Sequence, residues 1–341
     1  MFDIVTIGSA TRDNFLILDY KLINSKESPS GKVIALPFGE KLGVDRVYFT
    51  LGGNSANAAV TFARQGFKTA CAAKIGNDLP GQELLADLNK EGVNTSLISK
   101  SKDFPTAYSV LLLDKKTGER TILNNHGASD SFTIKDLNLK KMKAKWWYVS
   151  LAGEADKMYF DILDFARENK IKIAFNPSGH HIKHRSKDIL KSLKNISFLV
   201  LNEGEAAELV GIPFQKEKKV FKKLDSLIPG IVAVTNGPKG VTVCDSSRIY
   251  KAGIFSEKKL VDRTGAGDAF GSGFVAGLMD KGEECKKNIC KPENIAYAIR
   301  FASANATAVV EAVGATPGIL TKERFQRETR WRDFKIQTIS F

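Results

Sequence analysis

The run Val261-Asp262-Arg263-Thr264-Gly265-Ala266-Gly267-Asp268-Ala269-Phe270 holds the residue types and spacing that could do chemistry. Two glycines flank one alanine, so the backbone there can turn tightly and approach a ligand closely. The apolar, small-residue stretch that follows predicts a helix from Ala266 to about Asp280. At such a helix start the N–H groups of Gly265, Ala266 and Gly267 are donors without intrahelical partners, at the positive end of the helix dipole, which suits an anion. The carboxylate of Asp268 comes one residue later. An anion hole beside a carboxylate is what phosphoryl transfer to a hydroxyl requires: donors for the developing charge and a base for the attacking O–H. The plain alternative is a glycine-rich helix start that only packs against a strand.

Two other glycine motifs are excluded by spacing. Gly265-x-Gly267-x-x-x-Gly271 misses the dinucleotide pattern by one residue, and no G-x-x-x-x-G-K-[ST] occurs. Further polar groups stand at predicted strand ends, where open α/β sheets bind ligands. Asp13 follows the first strand and Gly8-Ser9. Gly52-Gly53 precedes a helix that carries Asn57, whose amide both donates and accepts, as sugar hydroxyls demand. Asn202-Glu203-Gly204-Glu205 follows a buried strand and could hold hydrated Mg²⁺, or simply place acids at a helix start. Thr235-Asn236-Gly237-Pro238-Lys239-Gly240 follows the next strand, with Lys239 in reach of a phosphate.

The elements that must position these groups read as strand then helix through most of the chain. Strands are predicted at Phe2–Ile7, Trp146–Leu151, Ile171–Phe175, Ser197–Leu201 and Ile231–Thr235. A hairpin is predicted near Val241–Cys244 and Arg248–Tyr250. Helices are predicted from about Asp156 to Glu168, Glu203 to Val210 and Asn294 to Val313. This alternation argues an α/β fold with a mostly parallel central sheet covered on both faces. Residues 14–51 differ: short apolar runs split by Ser/Pro/Gly/Lys loops, a small inserted β-sheet. Tyr108–Leu113, a turn at Asp114–Glu119 and Arg120–Leu123 read as a hairpin.

The hydrophobic fraction of 43% suffices for a sizeable core, and no run of 18 apolar residues predicts a membrane span. An acid at Asp3, in place of a basic leader, predicts a cytoplasmic protein. The net charge of +13 is spread as lysines among glutamates without an aromatic-interleaved stripe. That argues solvated surface rather than nucleic-acid binding. Cys71, Cys244, Cys285 and Cys290 form no C-x-x-C pair and are expected as reduced thiols. His180, His181 and His184 read as solvated loop histidines. The small residues Ala302, Ala304, Ala306 and Ala308 would leave room for a purine or for close helix packing.

The motifs together resemble those of the ribokinase-like (PfkB) carbohydrate kinases. Asp262, Thr264, Gly265, Ala266, Gly267 and Asp268 match the D-x-T-G-A-G-D signature, with Arg263 at its variable position. Gly52, Gly53, Asn57 and Ala59 match G-G-x-x-x-N-x-A. Gly76, Asp78 and Gly81 match G-x-D-x-x-G, Asn202 and Glu205 match N-x-x-E, and Thr235, Gly237 and Gly240 match T-x-G-x-x-G. The resemblance covers the chain from Gly8 to about Phe325. It implies a single three-layer ribokinase-like domain over residues 1–341, with a β lid formed by about 12–50 and 104–126.

What the resemblance implies for function is ATP-dependent phosphorylation of a hydroxyl on a small sugar. Asp268 would be the base and Gly265–Gly267 the anion hole. Asp13, Gly52, Gly53 and Asn57 would hold the acceptor. Asn202, Glu205, Thr235, Gly237, Gly240, Thr264, Asn305 and Gly314 would line the nucleotide side. Glu205 would hold Mg²⁺ through water, and Asp262, with Thr264, corresponds to a monovalent-cation (K⁺) site. A homodimer through the lid is implied too. A nucleoside kinase of the same superfamily is the alternative; a catalytically silent binding protein and a nucleic-acid-binding protein are more distant ones.

Overall fold

The computed structural model describes residues 1–28, 30–114, 119–282 and 290–340. Residues 115–118 of the predicted turn, and Cys285, lie outside that set. Among the described residues a nine-stranded sheet forms the centre. Its spatial order is Ile336–Ser340, Arg248–Ala252, Val241–Cys244, Ile231–Thr235, Phe198–Asn202, Lys172–Phe175, Ala144–Ser150, Phe2–Gly8 and Thr69–Ala72. Pairing is parallel from Thr69–Ala72 across to Ile231–Thr235 and antiparallel beyond. All the parallel strands therefore end at one edge, and that edge carries the site.

The side-chain period of two makes the strands two-faced. In Ala144–Ser150, Trp147 and Val149 join one core cluster and Trp146 and Tyr148 the other. The first cluster is closed by Ile162, Ile182, Leu209 and Phe221, from helices Tyr159–Glu168, Gly179–Ser192, Glu203–Val210 and Glu217–Asp225. The second is closed by Phe62, Phe274 and Ile299, from helices Asn54–Arg64, Ala266–Asp280 and Pro292–Val310. The last two helices approach closely because glycines meet alanines: a Cβ on Gly277 would lie 2.7 Å from the Ala298 Cα, and one on Gly273 3.1 Å from the Ala302 Cα.

A second sheet of four strands has the order Arg120–Asn125, Ala107–Leu113, Thr11–Ile17, Arg46–Gly52. Strand Thr11–Ile17 continues from the first core strand after Ser9 and Ala10. Its inner face buries Phe15, Leu111 and Leu113. Its outer face leaves Val47, Phe49 and Leu123 roughly half exposed.

Several expectations are corrected in detail. Val33–Ala35 does not join the four-stranded sheet; with Lys32 it pairs with Lys21–Asn24 as a separate ribbon. Ile336–Ser340, which has no place among the predicted elements, supplies an edge strand, because the open backbone of Arg248–Ala252 offers it a ladder. The segment after Gly179 is a helix, capped by the Ser178 hydroxyl accepting from the His181 N–H. His181 is therefore no solvated loop residue: it is fully buried against Tyr159 and Phe175. Cys71 and Cys244 are free, but Cys290 is disulfide-bonded. Local geometry sets such a pairing, and an argument from compartment does not see it.

Candidate active site

The helix Ala266–Asp280 begins as the sequence predicts, with Gly265 at its N-cap in the left-handed region at φ 78°. A side chain at Gly265 would also put its Cβ 2.4 Å from the Ala315 Cβ, so only glycine fits the turn. The first N–H groups of the helix lack intrahelical partners. Ala266 and Gly267 line a cavity of about 320 Å³. Thr235, Gly237 and Gly240, at the end of strand Ile231–Thr235, form another wall. A cavity of that size is at the lower end of what small-molecule sites use.

Asp268, on the first turn of that helix, is where two other elements converge. The Asn57 amide, from helix Asn54–Arg64, donates to Asp268 Oδ2 at 3.0 Å. The Asn176 amide, one residue past strand Lys172–Phe175, donates to Oδ1 at 3.3 Å. Burial pushes the Asp268 carboxyl above its ordinary range, and both amides pull it back. The result is an oriented carboxylate of increased basicity. Asn57 itself is 4% exposed, and its Oδ1 is a buried acceptor with no partner among the described residues. Such an orphan asks for a donor such as a hydroxyl.

Asp13 sits on the inner side of the small sheet, opposite Thr50 on one flank and Ser109 on the other. It can do so because Gly52 has no side chain: a Cβ there would lie 2.1 Å from Asp13 Oδ2. Burial pushes the Asp13 carboxyl up to about 7, the Ser109 hydroxyl opposes the rise, and the nearby charges of Asp262 and Asp268 add to it. Gly53 is the N-cap of the Asn57 helix. The four residues expected on the acceptor side thus frame one region around Asp268.

Asn202 and Glu205 form a reciprocal cap on helix Glu203–Val210. Asn202 Oδ1 accepts from the Glu205 N–H at 2.9 Å, and Glu205 Oε2 accepts from the Asn202 N–H at 2.8 Å. Burial raises the Glu205 carboxyl, the Asn202 backbone opposes this, and Asp268 raises it further. Two carboxylates that repel across this gap are what a divalent cation would relieve, so the residues present fit Mg²⁺.

The model for the pfkB family carbohydrate kinases matches residues 2–322. The chain belongs to the pfkB family. A ribokinase of Haemophilus influenzae is 28% identical over 312 residues, covering 85% of this chain and 92% of the relative. A cytidine kinase of Thermococcus kodakarensis is 24% identical over 279 residues, covering 81% and 88%. The solved ribokinase of Arabidopsis thaliana, complexed with ribose and ATP, superposes with a TM-score of 0.75 at 21% identity, covering 97% of this chain and 99% of that one. The fold is the ribokinase fold, and the protein is a phosphotransferase of the sugar and nucleoside kinase class.

Within this pfkB frame some expected residues stand elsewhere. Asn305 does not line the cavity. It is fully buried, donating to the Ala269 carbonyl at 2.9 Å and accepting from the Leu320 N–H at 2.9 Å, so it ties helix Pro292–Val310 to its neighbours. Ser303, Ala306, Thr307 and Val310, one face at helical spacing, line the cavity instead. Ala302 serves helix packing and Ala306 serves the cavity, which divides the two readings of the alanine run. Gly314 is buried as well: its N–H donates to Asp262 Oδ2 at 2.9 Å, and Thr50 lies against it. The other Asp262 oxygen accepts from the Thr264 N–H at 3.0 Å and the Thr264 hydroxyl at 2.8 Å. Asp262, Thr264 and Gly314 thus form a clamp on the signature loop. Asp78 plays a similar part, capping helix Leu79–Lys90 and accepting from the Thr106 N–H at 2.8 Å. Lys239 lines a neighbouring groove rather than this cavity.

Asn176 is the site residue that sequence reasoning missed. Its signal was its place: a polar side chain directly after a buried parallel strand, just as Asn202 and Thr235 close theirs.

Proposed function

We propose that this protein transfers the terminal phosphoryl group of ATP to a hydroxyl of a small sugar. The observation that carries the reading is the convergence on Asp268: an oriented, basic carboxylate one turn into a helix whose open N–H groups line a cavity. The acceptor hydroxyl lies against Asp268, and the Asn57 Oδ1 orphan and Asp13 take up neighbouring hydroxyls. Asp268 removes the proton as the new O–P bond forms and the bond from the terminal phosphorus to the bridging oxygen breaks, which releases ADP. The N–H groups of Gly265, Ala266 and Gly267 stabilise the charge that develops on the transferred group. Thr235, Gly237 and Gly240 wall the nucleotide. Mg²⁺, held through water by Glu205 near Asn202, neutralises phosphate charge when bound. Asp262, Thr264 and Gly314 act in this reading by fixing the loop, not by holding K⁺.

The half-exposed apolar side chains on the outer face of the small sheet support a homodimer in which two such faces cover one another. A nucleoside acceptor is the second reading, because one relative of nearly full coverage is a cytidine kinase.

The test is ADP release with MgATP against a panel of sugars, sugar phosphates and nucleosides, run with wild type and Asp268→Asn. Loss of a general base predicts a drop in kcat of about 10²–10⁴-fold with the fold intact. Turnover on a nucleoside alone selects the second reading. Full turnover by the Asp268→Asn variant refutes the role given to Asp268.

A further inference from the structure

The nucleotide cavity has a charge problem that the signature helix alone does not solve. A nucleoside di- or triphosphate carries several negative charges, whereas a helix N-terminus offers only about half of one positive charge. The loop lysine Lys239 is turned to the neighbouring groove. Among the described residues, the charged side chains lining the cavity are Arg120, Arg263 and Glu257. The two arginines come from different places. Arg263 occupies the variable position of the signature, three residues before Ala266. Arg120 is the first residue of strand Arg120–Asn125, so the small sheet delivers a guanidinium into a cavity built otherwise by the core.

Arg263 has a partner on the same strand's approach. Its Nε lies 3.0 Å from Glu119 Oε1, with the two side chains 40% and 61% exposed. The Nε nevertheless makes no directed hydrogen bond. An exposed ion pair of this kind is weak, while a guanidinium forms strong, paired hydrogen bonds to phosphate oxygens. Arg263 is therefore held at the cavity by a counter-ion it can readily give up.

We propose that Arg120 and Arg263 bind the outer phosphates of the nucleotide, and that Glu119 is the carboxylate Arg263 exchanges for phosphate on binding. This rests on reading the cavity as the nucleotide site. It makes nucleotide affinity depend on the small sheet as well as on the core.

Calorimetric titration with MgADP and, separately, adenosine tests it on wild type, Arg120→Ala, Arg263→Ala, Arg263→Lys and Glu119→Gln. Each alanine variant should bind MgADP about tenfold more weakly and bind adenosine as wild type does, the loss expected for one charge-assisted phosphate contact. Arg263→Lys should fall between, because a point charge replaces a fork. Glu119→Gln should bind MgADP more tightly. If either alanine variant binds MgADP like wild type, or loses adenosine in equal measure, the inference is overturned while the cavity's assignment stands. A wild type that binds neither ligand overturns the assignment of the cavity and this inference with it.

Discussion

Asp13 offers a prediction in which stability and function move in opposite directions. The perturbation is Asp13→Asn, which keeps shape and removes charge. In the folded protein the carboxyl titrates at about 7, well above the ordinary carboxylate range, chiefly because it is buried. An acid whose folded value is raised stabilises the fold fully only below its unfolded value, and that contribution is lost as pH rises through the folded one. The gap corresponds to about 4 kcal/mol at full ionisation. Most of the loss falls between about pH 4 and pH 7. The substituted amide cannot ionise, so the variant should be more stable than wild type at neutral pH, and its advantage should widen by about 2–3 kcal/mol from about pH 5 to about pH 8. Urea unfolding of both proteins at a series of pH values, without ligand, measures this. The same substitution should impair turnover at saturating ATP by raising the acceptor KM, since a hydroxyl-binding carboxylate is gone. A stability difference that stays flat with pH, or shrinks as pH rises, would refute the assignment of a buried, easily protonated Asp13.

The other predictions concern the same frame. Asn176→Ala removes a hydrogen bond that favours the charged form of Asp268, so the acid limb of the kcat/KM profile should move to higher pH; an unmoved or lower limb would speak against Asn176 as the group that orients the base. Gly265→Ala forces a side chain into a left-handed turn and against Ala315, and should cost about 2–4 kcal/mol by urea midpoint together with ADP binding; a variant as stable as wild type would mean the turn can relax. Phe49→Asp on the outer face of the small sheet should shift sedimentation toward the monomer without unfolding, and an unchanged sedimentation coefficient in both proteins would place the apolar face outside any self-association.

Much of this molecule is legible in sequence because the informative residues are contiguous. Thr264 to Asp268 form a turn, an N-terminus and a carboxylate in succession, and the unbroken apolar run from Trp146 to Val149 already states that both faces of that strand are buried. Contacts between distant segments are less accessible. Nothing local in Asn176-Pro177-Ser178 says that its amide meets Asp268, 92 residues later. Asn305 is misplaced by sequence reasoning because its helix is small-sided nearly all round, from Ala302 through Ala308, so no apolar stripe fixes the phase that decides which residues face the cavity. The edge strand Ile336–Ser340 escapes notice because its pattern is short and surrounded by charge, and its partner at Arg248–Ala252 is far off in sequence. For the histidines after Gly179, composition suggests a loop, whereas the Ser178 cap is the stronger signal.

The position of the first strand has a consequence for how the protein is made. Phe2–Gly8 lies inside the sheet, with Thr69–Ala72 on one flank and Ala144–Ser150 on the other. Its second flank must therefore wait for more than a hundred further residues to be synthesised, on the order of ten seconds at ribosomal speed. During that interval a largely apolar strand edge, Ile4 to Ile7, has no neighbour to satisfy it. Strands from different nascent chains on one message would be drawn together by the same backbone groups. Such a chain depends on being shielded during translation, and its yield should respond to translation rate and chaperone supply more than to its final stability.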